Sequence, residues 1–206
     1  LHTGGASIPG SFPITGEDLI KINPQVSFHI NGGPVSMEDK YFEVVARDTE
    51  IAMQVCTAGN LRTAILCAEM AKKHSAFDRF LIATDTPTGS GVMPLGMIYT
   101  ISQIASLADF DVGELIAAAT GNVAKCYGLN SGFLKVGCDA DLVLIDAPLG
   151  GTKSDALSAL KNGDPCAIGA VLTSGIPRFV GRSKNTPPPV RKIEVIKSNI
   201  TNMFEG

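Results

Sequence analysis

The chain has 206 residues, 45% of them hydrophobic and 18% charged, with a formal net charge of −3. That composition is enough for a packed core and excludes a disordered chain, while the lack of a basic stripe argues against nucleic acid or an anionic membrane as partner. Apolar runs stay well short of the ~20 residues of a membrane span, and the length is short for a complete α/β barrel of about 250 residues.

In chain order, the pattern opens as βα units. A short helix is expected over residues 16–23, closed by Pro24. Residues 26–30 read as a short buried strand that runs into Asn31-Gly32-Gly33-Pro34. Ser36, with Asp39 at capping-box distance, predicts a helix over 37–47, whose apolar residues fall at 37, 41, 44 and 45. Residues 50–56 form a second strand candidate, 60–73 a helix with a basic last turn, and 80–84 a third strand that leads into Asp85. The glycine-rich loop Thr86-Pro87-Thr88-Gly89-Ser90-Gly91 precedes helices expected over 95–107 and 111–127. From Gly132 the texture becomes β. Residues 133–137 and 140–146 read as a hairpin, 154–160 as a short helix, and 167–173 with 178–180 as a strand pair around Ser174-Gly175-Ile176-Pro177. Residues 190–206 read as a tail. Five cysteines, an odd number without a C-x-x-C pair, point to reduced thiols in a cytoplasmic protein, not to a disulfide framework or a thiolate zinc site.

The chemistry concentrates at strand ends. His2 and His29 are 27 residues apart and each is followed by a Gly-Gly pair, while Asp85 lies 56 residues beyond His29. A βα unit of a barrel takes about 30 residues, so these three fit the C-terminal ends of strands n, n+1 and n+3 of one parallel barrel, with residues 50–56 as n+2. Two imidazoles and a carboxylate suit Zn²⁺ or Fe²⁺. Spacing alone leaves satisfied structural residues equally open. Gly4, Gly5, Gly32 and Gly33 would let backbone approach a substrate or metal closely. The loop holding Thr86 and Gly89 would present N–H groups to a substrate carboxylate, or be a plain tight turn. His74, at a helix C-terminus, reads as solvated; Asp139 and Asp141 as turn residues; Cys56 as core.

Longer pieces carry a resemblance. Leu1-His2-Thr3-Gly4-Gly5, Ser7-Ile8-Pro9-Gly10, His29-Ile30-Asn31-Gly32-Gly33-Pro34 and the Asp85–Gly91 loop resemble the amidohydrolase superfamily, as do Ala119-Thr120-Gly121-Asn122 and Asp139-Ala140-Asp141-Leu142-Val143. The two histidine motifs are similar to the enamidase group, which opens a lactam ring. The resemblance implies an α/β fold: the C-terminal half of a TIM-like (β/α)8 metal-dependent hydrolase barrel, strands 5–8 over residues 1–128, plus part of a small β-sandwich domain over 129–189. It implies hydrolysis of a cyclic amide by a metal-bound hydroxide at a binuclear site of divalent zinc and/or iron. His2 and His29 would bind one ion; Asp85 would bind the other and move the proton. The same pattern includes a His-x-His pair and a bridging Lys or Glu, expected before residue 1, so this segment alone is expected to be inactive. Dihydroorotase-like or imidazolonepropionase-like hydrolysis, or an inactive truncated fragment needing its N-terminal half, are the alternatives. The implied partner is a small-molecule cyclic amide, without nucleic acid or membrane, in a cytoplasmic homo-oligomer such as a tetramer.

Overall fold

Thr15 starts the first helix, α1 (Gly16–Ile22), by a reciprocal cap: its hydroxyl accepts from the Asp18 N–H and the Asp18 carboxylate accepts from the Thr15 N–H. Asn23, in the left-handed region, ends it. This is part of a computed structural model that describes residues 1–6, 8–32, 35–87 and 91–196. The chain continues through β1 (Val26–Ser27), α2 (Lys40–Asp48), β2 (Ala52–Cys56), α3 (Leu61–Lys73), one 3-10 turn at Phe77–Arg79 and β3 (Phe80–Ala83). The three strands form a parallel sheet in chain order, with Val26 opposite Ala52 and Met53 opposite Phe80. A fourth rail lies beside β1. His2 makes a parallel bridge to Phe28, the Leu1 amino group donates to the Val26 carbonyl at 2.8 Å, and the Phe28 N–H donates to the Leu1 carbonyl at 2.8 Å.

Strand alternation divides the sheet's side chains between two faces. Met53, Val55, Phe80 and Ile82 pack with Phe42 and Val45 of α2 and with Ala64, Cys67 and Ala68 of α3. Val26, Ala52 and Leu81 form a smaller cluster on the other face. Fully burying one large side chain such as Phe42 or Phe80 contributes ~1.5–3 kcal/mol, so the first cluster dominates the fold's hydrophobic stabilisation. Beyond β3 come α4 (Gly96–Leu107), α5 (Val112–Ala119), α6 (Gly121–Tyr127), β4 (Leu142–Asp146), α7 (Ala156–Lys161), β5 (Ala167–Thr173) and β6 (Ile176–Val180). The last three strands make an antiparallel sheet in the order β4-β5-β6. Among the described residues, no helix is long and apolar enough to cross a membrane.

Several expectations change in detail. The helix expected from residue 37 begins at Lys40 after Asp39, and the Ser36 hydroxyl donates to the Met37 carbonyl at 3.2 Å without capping it. Asp39 does not cap it either, because both its carboxylate oxygens accept from Arg62, at 2.7 and 2.8 Å. The single helix expected over 111–127 breaks at Thr120 (φ −132°, ψ −83°), whose hydroxyl bonds back to the Ile116 carbonyl at 2.7 Å. Such i−4 back-bonding bends helices. Residues 133–137 form no strand: Leu134 and Val136 are almost fully exposed, and β4 pairs with β5 instead. The segment read as a tail starts packed. The Val190 N–H donates to the Ala147 carbonyl at 3.1 Å, and the Arg191 guanidinium pairs with the buried Asp146 carboxylate.

Candidate functional site

The C-terminal edge of the parallel sheet collects the polar residues singled out by sequence. His2 sits on the rail beside β1, His29 two residues past β1, and Asp85 two residues past β3. His29 and Asp85 both adopt positive φ, +38° and +57°. A non-glycine residue held there costs about 1–3 kcal/mol, strain that gathers at functional sites. The two imidazoles meet: His2 Nδ1 lies 2.6 Å from His29 Nε2, with ring centroids 4.8 Å apart. The other ring nitrogen of His29, Nδ1, is 3.1 Å from the Thr3 carbonyl oxygen. A carbonyl can only accept, so Nδ1 carries the hydrogen, and in the neutral ring the Nε2 lone pair faces His2.

That arrangement is the one a metal-binding histidine takes, with the non-ligating N–H tied to a backbone carbonyl. The donor types suit zinc or divalent iron. At 2.6 Å the His2 Nδ1–H donates to His29 Nε2; to ligate one tetrahedral ion at 2.0–2.1 Å the two nitrogens must part to about 3.3 Å and the His2 hydrogen must pass to its Nε2. Asp85 does not join them: among the described residues, no group of three His, Cys, Asp or Glu side chains lies close enough to hold one ion. The sheet order explains this, since β2 stands between β1 and β3 and strands are ~4.8 Å apart. Asp85 instead neighbours Cys56, the last residue of β2. Burial pushes the Cys56 thiol up to about 11, and the Asp85 charge adds to the rise. Cys56 is therefore a protonated core thiol at neutral pH, as expected.

The glycines after the histidines have a packing reason. A Cβ on Gly4 (φ +117°) would meet the Val35 carbonyl oxygen at 2.7 Å, and one on Gly32 (φ +87°) would meet Ser36 N at 2.5 Å. The Gly5 N–H donates to the Val35 carbonyl at 2.9 Å. These glycines thus let the loops after His2 and His29 close on each other. Thr86 is exposed, beside the site edge. Gly33 and Gly89 lie outside the described residues. His74 makes a 3.1 Å contact with Glu43, away from the edge. Two cavities, of 720 Å³ beside Lys72 and Lys161 and of 430 Å³ between α4 and β4, also lie away from it.

Sequence reasoning did not single out Asn31, which is fully buried. Its amide donates to the Cys56 and Asn60 carbonyls at 3.0 and 3.2 Å and accepts from the Cys56 N–H at 2.9 Å. It pins the loop carrying His29 to the end of β2. The signal was present only as an Asn before Gly-Gly, which reads as a turn.

Comparison with known proteins places these features in context. The family model described as "Amidohydrolase family" matches residues 30–186. The enamidase of Eubacterium barkeri is 39% identical over 196 residues, covering 95% of this chain and 50% of the relative. A crystal structure of enamidase superimposes with a TM-score of 0.88 at 39% identity over 93% of this chain and 50% of its own. The 5-methylthioadenosine/S-adenosylhomocysteine deaminase 1 of Archaeoglobus fulgidus is 32% identical over 124 residues, 54% of this chain and 28% of the relative. A β-aspartyl dipeptidase from Fervidobacterium islandicum, at 16% identity and a TM-score of 0.52, shares the fold over 95% of this chain and 49% of its own. The chain thus spans half or less of the length of each of these relatives.

Proposed function

We propose, from the premise that the chain belongs to the amidohydrolase family, that it supplies half of a metal-dependent hydrolase acting on the C–N bond of a cyclic amide. In this reading the Leu1–His2 rail and the three strands of the parallel sheet are strands 5–8 of a (β/α)8 barrel, and the antiparallel sheet is part of a small β domain. His2 Nδ1 and His29 Nε2 hold one divalent ion, zinc or iron, and the Asp85 carboxylate contributes to a second. Bound ions of this kind lower the pKa of a coordinated water and polarise an amide carbonyl. Asp85 accepts the proton at its carboxylate and returns it to the leaving ring nitrogen. The Gly4-Gly5 and Gly32-Gly33 loops and the loop of Thr86 and Gly89 border the substrate. The whole enzyme is a cytoplasmic homo-oligomer.

The observation that carries this reading is the convergence of two imidazole nitrogens at the strand ends, with the His29 Nδ1–H secured by a backbone carbonyl. The identity to enamidase supports the lactam as substrate class. The test mixes this chain with the N-terminal half of the Eubacterium barkeri enamidase, adds Zn²⁺ or Fe²⁺, and follows loss of a six-membered lactam by ultraviolet absorbance. Ring opening by the mixture and none by the chain alone is the expected result. An assembled, metal-loaded complex that leaves lactams intact, or that deaminates an aminopurine nucleoside instead, overturns the proposal.

A further inference from the structure

Two hydroxyls lie behind the imidazole pair. Thr3 Oγ1 and Ser27 Oγ are 2.7 Å apart, and the residues are 3% and 0% exposed. Thr3 follows His2 directly, and Ser27 precedes His29 by two residues. Thr3 therefore reaches the neighbouring segment twice: its side chain meets Ser27 at the end of β1, and its carbonyl accepts from His29 Nδ1 at 3.1 Å. An apolar pair of similar volume would pack the two segments together equally well, because apolar contact is non-directional. What the hydroxyl pair adds is direction, since a hydrogen bond weakens steeply off its axis. With the Leu1–Val26 and Phe28–Leu1 backbone bonds setting the register of the rail on β1, the hydroxyl pair fixes the rail at Thr3 itself, and hence where the Thr3 carbonyl stands.

We propose that Thr3 and Ser27 are positioning residues for the histidine pair: their buried hydrogen bond holds the Thr3 carbonyl against His29 Nδ1, which keeps the proton there and turns Nε2 toward His2 Nδ1. The value of this for metal binding rests on the reading of His2 and His29 as ligands; the tautomer does not. In the free chain the latch settles which nitrogen is protonated. When an ion is present it spares the cost of turning the ring, so affinity falls when the latch is removed.

The test uses the 206-residue chain in four further forms: Thr3→Val, Ser27→Ala, the double variant, and Thr3→Ser, which keeps the hydroxyl. Nitrogen-15 correlation spectra at pH 8 read the His29 tautomer. Titration with Zn²⁺ alone reads affinity. The wild type and Thr3→Ser are expected to hold the Nδ1–H form, and the other three to show a tautomer mixture and about 10–100-fold weaker Zn²⁺ binding. The double variant leaves no orphaned buried hydroxyl, so it decides the matter where either single change fails to fold. An Nε2–H tautomer in the wild type overturns the proposal at once. So does a folded double variant with unchanged tautomer and affinity. If the wild type takes up no Zn²⁺ yet its tautomer depends on the latch, the positioning stands and the metal reading of the site falls.

Discussion

Replacing Asn31 by alanine removes the side chain that joins the His29 loop to β2, and its cost can be worked from the bonds it makes. Three partners lose a hydrogen bond, but not equally. The Asn60 carbonyl still accepts from the Ala64 N–H at 3.0 Å, and the Cys56 carbonyl still accepts from the Gly59 N–H at 3.2 Å. Those two losses cost ~0.5–1.5 kcal/mol each, the net worth of an ordinary intramolecular bond. The Cys56 N–H, buried and held by Asn31 Oδ1 at 2.9 Å, is left without that partner and costs ~1–3 kcal/mol as an orphan. The total is about 2–6 kcal/mol. For a chain of this length, 1 kcal/mol moves the melting temperature by about 2–4 °C, so a fall of roughly 4–24 °C is expected by calorimetry or circular dichroism. Asn31→Asp sharpens the test. The carboxylate would face the Cys56 and Asn60 carbonyls, which together with burial raises its folded pKa above the ordinary ~3.9. Its stabilising contribution is then complete below that ordinary value and lost as pH rises through the raised folded one. This variant should approach the wild type near pH 4 and fall behind by pH 8. A melting point for Asn31→Ala within 2 °C of the wild type refutes the reasoning, as does a pH-independent deficit for Asn31→Asp.

Three other outcomes follow from single sites. Arg191 holds the Asp146 carboxyl well below the usual carboxylate range, so the pair stabilises the fold fully above pH ~3.9 and the effect declines below that, lost only as pH falls through the lowered folded value; Arg191→Ala should lower the urea midpoint at pH 7 and do so clearly less at pH 2, and an equal deficit at both would show the effect is not electrostatic. In the assembled enzyme, Asp85→Asn should cut kcat by at least ~10²–10⁴-fold in excess metal with little change in substrate binding, because an amide cannot take the proton; near-wild-type kcat would make Asp85 structural. His2→Ala and His29→Ala should each deplete the same one of two ions, read by metal analysis, and equal loss of both would reject the shared-ion assignment.

The parallel sheet was legible because its strands are short apolar runs with helices between them, and because histidine and aspartate stand where those runs stop. The spacing that suggested four consecutive barrel positions corresponds to the rail at Leu1–His2 followed by β1, β2 and β3. What local pattern could not supply was partners distant in sequence. Asp39 looks like half of a capping box, but Arg62, 23 residues away, takes its carboxylate. Residues 133–137 alternate like a strand, yet the loop closes on itself: the Asp139 N–H donates to the Asn130 carbonyl at 2.8 Å, and the Asn130 amide to the Gly137 carbonyl at 3.2 Å. With those bonds made inside the loop, β4 is left to pair with β5, and Leu134 and Val136 point into solvent.

The same reasoning separates the two layers of the site. The histidines and Asp85 stand out in the sequence because their chemistry is rare and their neighbours are glycines. Asn31, Thr3 and Ser27 do not, because amides and hydroxyls are common and only burial makes theirs costly to leave unpaired. Yet the conspicuous residues are half-buried or exposed and gain their geometry from the inconspicuous ones. His29 sits at positive φ between Ser27 and Asn31, both fully buried and both bonded across to other segments. A strained residue persists only where its surroundings over-determine it. Those two flanking anchors act beside the Gly32 N–H bond to the His29 carbonyl and the Ile30 N–H bond to Gln54 in holding His29 in its left-handed conformation, so weakening either anchor should loosen the ring before it unfolds the sheet.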